Sequence, residues 1–95
     1  MIDWDEKKNK VNKEKHGFSF DEIIGVFDDP NLIESYDSDH STIGEDRFKC
    51  IGSLEGLLII LVEVSEDEGT RRIISARKAT LKERACYYEN YKETT

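Results

Sequence analysis

The spacing of apolar positions changes character twice along this chain. Residues 1–16 are almost wholly polar, with Trp4 and Val11 the only large apolar side chains after Ile2. Asp3 stands three residues before Glu6, a capping pattern that predicts a polar surface helix over roughly Asp5–Lys15. Trp4 would anchor it and His16–Gly17 would close it, glycine supplying the left-handed cap. Ser19-Phe20-Asp21-Glu22 is a capping box, with Phe18 and Ile23 placed as a hydrophobic staple. Phe20, Ile23, Ile24 and Phe27 then repeat at i, i+3, i+4 and i+7, which predicts a second, amphipathic helix ended by Asp28-Asp29-Pro30.

From Asn31 the period becomes two. Strands are expected at Leu32–Tyr36, Asp46–Ile51, Leu57–Val64 and Arg71–Arg77, joined by a polar loop over Asp37–Gly44 and turns over Gly52–Gly56 and Ser65–Thr70. Alternation puts Phe48 and Cys50 on one face and Arg47 and Lys49 on the other. Leu57–Val64 is apolar on both faces until Glu63, so it should be central and covered on both sides. Thr80-Leu81-Lys82-Glu83 is a second capping box and opens a last helix, about Leu81–Lys92, with Leu81, Ala85 and Tyr88 on one side. The order predicts an α+β fold of two N-terminal helices, an antiparallel sheet of about four strands and a C-terminal helix. A brief strand at Ile2–Trp4 is left open by the pattern.

Length narrows this further: 95 residues leave room for one core, so residues 1–95 are expected to form a single domain. No apolar run approaches the roughly 18 residues of a membrane span, and the mean hydropathy is −0.66. The N-terminus lacks a basic segment leading into an apolar one, so the expected location is the cytoplasm, with Cys50 and Cys86 reduced and serving as packing residues. The net charge is −7, unevenly spread. Residues 1–16 carry five lysines against four acids; residues 17–69 carry only Arg47 and Lys49 against fourteen; residues 70–95 carry seven bases against three. Broad affinity for phosphate backbones is therefore unexpected, whereas a local cationic site is compatible with the basic ends.

Most familiar chemistries find no support. His16, His40, Cys50 and Cys86 show none of the short paired spacings of a zinc site, and no glycine cluster cradles a nucleotide, so no cofactor is expected. What remains is a set of basic side chains that strand geometry could gather: Arg47 and Lys49 on one sheet face, Arg71, Arg72, Arg77 and Lys78 on or beyond the last strand, and Arg84 one turn into the final helix. Whether Arg71 or Arg72 joins the Arg47 face depends on the register across Ser65–Thr70 and stays open.

The chain resembles the BrnT toxins, the ribonuclease halves of type II toxin–antitoxin pairs. The matching blocks are residues 4–9, Asn12-Lys13-Glu14-Lys15-His16-Gly17-Phe18-Ser19-Phe20, Val26-Phe27-Asp28-Asp29-Pro30 and Gly44-Glu45-Asp46-Arg47. Arg72-Ile73-Ile74-Ser75-Ala76-Arg77-Lys78-Ala79-Thr80, Glu83-Arg84 and Tyr87-Tyr88 complete the set. The resemblance implies a RelE-like fold, a metal-independent endoribonuclease that inhibits translation, and sequestration by a BrnA-type ribbon–helix–helix antitoxin. Operator DNA would be reached only through that antitoxin, and no membrane is involved. On the matching positions, the resemblance implies catalytic roles for His16, Arg47, Arg77 and Tyr88, and RNA phosphate contacts from Lys15, Lys49, Arg72, Lys78 and Arg84. The acidic middle would suit a basic antitoxin segment. An alternative from another class is a catalytically silent relative that binds the antitoxin as a co-repressor; RNA cleavage by the chain on its own separates the two.

Overall fold

In a computed structural model, which describes residues 1–93, the chain forms three helices, a 3₁₀ segment and five strands. Strand β1 is Ile2–Trp4, helix α1 Glu6–His16 and helix α2 Phe20–Ile23; α2 runs straight into the 3₁₀ turn Ile24–Asp28. Strands β2 (Ile33–Tyr36), β3 (Asp46–Leu54), β4 (Leu58–Asp67) and β5 (Thr70–Lys78) follow, and helix α3 (Leu81–Glu93) ends the fold. No helix among the described residues is long and apolar enough to cross a membrane.

The sheet corrects the expectation of about four antiparallel strands. It has five, in the order β1-β5-β4-β3-β2, and β1 runs parallel to β5 with Ile2 opposite Arg71 and Trp4 opposite Ile73. Strand β4 is central, as its two-faced apolar run requires. One face carries the core: Cys50 of β3, Ile60, Val62 and Val64 of β4, and Ile73 and Ala76 of β5 are buried against Phe20, Ile23 and Val26.

The second helix also differs from its expected form. Its buried residues fall at Phe20, Ile23 and Val26, a spacing of three, and Ile24 is turned outward. A 3₁₀ segment winds three residues per turn, so tightening after Ile23 brings Val26 inward in place of Ile24. Gly52 of β3 lies beneath this turn, where a Cβ would meet side-chain atoms of Val26 and Leu32 at 2.8 Å.

Helix α1 is tied down by amides. Asn12, only 4% exposed, donates to the carbonyls of Phe18 (2.8 Å) and Ala76 (2.9 Å) and accepts from the Ala76 N–H at 3.0 Å. Strand β1 ends at Trp4, opposite Ile73; Asn12 continues its role for Ala76, pairing both backbone groups that the β5 edge would otherwise leave open. Asn9 Oδ1 accepts from the Phe20 N–H at 2.7 Å, at the start of α2. Helix α3 likewise turns inward through Tyr87, while Leu81 is 81% exposed and Tyr88 is exposed. The expected inward side of Leu81, Ala85 and Tyr88 is thus replaced by a polar one, and Cys86 is exposed whereas Cys50 is packed.

Candidate active site

Helix α3 packs against β3 and β4, and α1 lies along β5. Register arranges the side chains of one sheet face in three rows: Arg47, Ser65 and Arg72; then Lys49, Glu63 and Ser75; then Ile51, Leu61 and Arg77. A two-residue hairpin at Glu68-Gly69, both in the left-handed region (φ 47° and 82°), sets this order by pairing Asp67 with Thr70. Arg72 therefore shares the Arg47 face. Arg71 turns to the other side, pairing with Glu34 and Glu66 and lying 5.4 Å over the Phe27 ring. A bulge at Ile74, opposite the Glu63–Val64 step of β4, shifts the register by one residue, so that Ser75 rather than Ile74 meets Glu63.

Two adjoining cavities occupy this face. The first, about 430 Å³, is lined by Lys8, Arg47, Ser65 and Arg72, with Asp3, Glu45, Asp67 and Glu68 as its acids. The second, about 350 Å³, brings Lys15 and His16 to Ser75, and the two share Lys8 and Ile74. Neighbouring strands lie about 4.8 Å apart, so the Arg47 and Arg72 backbones stand about 10 Å apart across Ser65, close enough for both guanidiniums to reach one phosphate above it. At present each has a carboxylate. Arg72 donates to Asp3 at 3.0 and 3.3 Å, and its guanidinium holds the Asp3 carboxyl below its ordinary value. Arg47 donates from Nε to Glu45 at 2.9 Å. In the next row, Ser75 donates to Glu63 at 2.9 Å.

The remaining residues expected at the site are dispersed. Lys49 is exposed in the middle row. Arg77 lies two rows from Arg72, about 13 Å along the sheet, and donates to both oxygens of Glu83 (2.8 and 3.0 Å) and to the Lys78 carbonyl. Lys78 and Arg84 line a small hollow of about 190 Å³ with Leu57 and Leu58, and Tyr88 lines a separate cleft on α3. Lys8, Ser65 and Ser75 line these cavities without having been singled out. For Lys8 a signal exists in its spacing from Val11 and Lys15 at i+3 and i+7, one stripe of α1. Among the described residues no three His, Cys, Asp or Glu side chains converge as a metal-binding set.

The Arg77–Glu83 pair closes the corner between β5 and α3 and titrates with the fold. The Arg77 guanidinium, with the N–H and hydroxyl of Thr80, holds the Glu83 carboxyl down at about 2, against 4.5 for a free glutamate. A depressed folded value means that the pair's contribution is complete above the unfolded value and is lost as pH falls towards about 2. Acid unfolding of Glu83→Gln is therefore expected to lack the part of the stability slope that the parent shows below pH 4.5, with lower stability than the parent at neutral pH. Parallel slopes in the two proteins would show that the corner carries no such linkage.

Residues 4–83 match the family described as "Ribonuclease toxin, BrnT, of type II toxin-antitoxin system". The fold is similar to the crystal structure of the Brucella abortus ribonuclease toxin BrnT, with a TM-score of 0.61 and 26% identity, covering 84% of this chain and 99% of that one. No curated protein matches the chain.

Proposed function

The chain belongs to the BrnT family of ribonuclease toxins of type II toxin–antitoxin systems, and on that premise we propose that it cuts RNA on the Arg47 face of the sheet without a metal ion. The observation that carries this is the meeting of Arg47, Arg72 and Lys8 in one cavity that adjoins His16 and Lys15. The arginines and Lys8 grip the scissile phosphate and take up the charge of the crowded phosphorane, the task a metal ion performs elsewhere. The ribose 2′-oxygen bonds to phosphorus as its proton passes to a base, the P–O5′ bond breaks, and the departing oxygen receives a proton. His16, at the mouth of the adjoining cavity, carries one of these transfers. Lys15 and Lys49 meet neighbouring phosphates. Arg77 is a positioning residue at the β5–α3 corner, and Lys78, Arg84 and Tyr88 lie outside the grip.

A BrnA-type antitoxin, cytoplasmic like its toxin, would cover this face, and operator DNA would be bound through it. The test is purified chain with RNA in excess chelator. Fragments ending in 5′-hydroxyl groups are expected, and their appearance only when Mg²⁺ is added would overturn metal independence. A second reading, the catalytically silent co-repressor, is favoured by the four carboxylates in the Arg47 cavity, which repel phosphate. RNA left intact with and without Mg²⁺, together with tight antitoxin binding, would establish it.

A further inference from the structure

Apart from the two cationic cavities lies a cleft of about 580 Å³, between the Asp28–Asn31 turn, the β3–β4 hairpin and α3. Three carboxylates line it, Asp28, Asp29 and Glu55, with three tyrosines, Tyr87, Tyr88 and Tyr91, and no basic residue. These groups are not equivalent. Asp29 is committed within the protein: Tyr87 Oη donates to it at 2.6 Å, the Ser53 N–H at 2.8 Å and the Asn31 N–H at 2.9 Å. Burial opposes its charge, yet the three donors together hold its carboxyl below the ordinary value. Buried Tyr87 is the hub of the tyrosine group, edge-on to Tyr88 at 5.4 Å and tilted against Tyr91 at 6.4 Å. Asp28 and Glu55 are exposed, as are the outer rings, Tyr88 at 45% and Tyr91 at 43%. The walls are thus fixed from beneath, and the open mouth offers aromatic faces beside carboxylates.

We infer that this cleft receives an arginine side chain projecting from a basic segment of the antitoxin. A guanidinium stacks on tyrosine faces while donating to carboxylates, a combination that neither an apolar nor an anionic side chain can satisfy. The cleft belongs mainly to residues 17–69, the stretch with two bases against fourteen acids, so charge complementarity selects a cationic partner. The identity of the partner rests on the toxin–antitoxin reading; the chemistry of the cleft does not.

The probe is N-acetyl-arginine amide, titrated into the full chain while the tyrosine ring resonances are followed by NMR. Tyr88 and Tyr91 are expected to move, the uncharged citrulline counterpart should leave them in place, and Asp28→Asn with Glu55→Gln should weaken binding about tenfold. The same double variant should weaken the antitoxin complex at least about tenfold, while RNA cleavage by the free chain and its melting temperature stay unchanged. Equal movement with citrulline, or an antitoxin complex indifferent to the double variant, overturns the inference. A wild-type chain that fails to cut RNA would overturn the ribonuclease reading alone, since the ring shifts are read without RNA.

Discussion

Arg47→Ala is expected to lower RNA cleavage by about 10²–10³-fold, the usual loss when one preorganised donor to a developing oxyanion is removed. The reason is placement. Arg47 stands near the start of β3, opposite Ser65, and its backbone is pinned by the Ser41 hydroxyl, which accepts from the Arg47 N–H at 2.8 Å, and by the Asp37 N–H, which donates to the Arg47 carbonyl at 2.8 Å. The guanidinium is thus delivered to the phosphate position by a rigid strand, with Arg72 facing it across one intervening strand. Its ion pair is with Glu45, whose side chain is 45% exposed, so truncation should cost under about 1 kcal/mol of stability. The loss should fall on kcat, because the contact strengthens as charge builds in the transition state. Arg47→Lys, which keeps the charge and loses the planar fork, should lie between the two. An Arg47→Ala chain that is folded and cuts RNA at the parent rate would remove this cavity from the chemistry.

What the sequence reveals of this molecule depends on which force docks each element. The alternation of β3 and the two-faced apolar run of β4 are signatures of burial, and both strands lie where that pattern places them. The boxes Ser19–Glu22 and Thr80–Glu83 are local chemistry, legible because donor and acceptor are three residues apart. Strand β1 is three residues long, too short for a period, and its parallel partner lies far along the chain. The two long helices escape the apolar pattern for a different reason. Helix α1 is held by Asn9 and Asn12, and α3 by Glu83 and Tyr87, so their docked faces look like solvent faces. The candidate site shows the same division. Strand alternation pairs Arg47 with Lys49, but choosing Arg72 over Arg71 requires the two-residue turn at Glu68-Gly69, and bringing His16 to Ser75 requires the docking of α1.

That docking yields the largest expected effect on stability. Asn12→Ala removes three hydrogen bonds at once and strands the N–H and carbonyl of Ala76 beneath the helix, where water cannot replace the amide. Leaving buried backbone groups unpaired costs about 1–3 kcal/mol each, so a total near 3 kcal/mol is expected, a fall of about 12–24 °C in melting temperature for a domain of this size. Val11, the one large apolar side chain within α1, is 58% exposed, and Val11→Ala should change stability by under about 0.5 kcal/mol. Cleavage should follow the same contrast. At a temperature where Asn12→Ala is still folded, α1 is no longer fixed to β5, and Lys8, Lys15 and His16 lose their setting against Ile74 and Ser75. Thermal melts and cleavage rates of the two variants check both halves of this expectation. Equal melting of Asn12→Ala and Val11→Ala would mean that α1 is held by something other than the amide of Asn12, and the placement of His16 would then need another support.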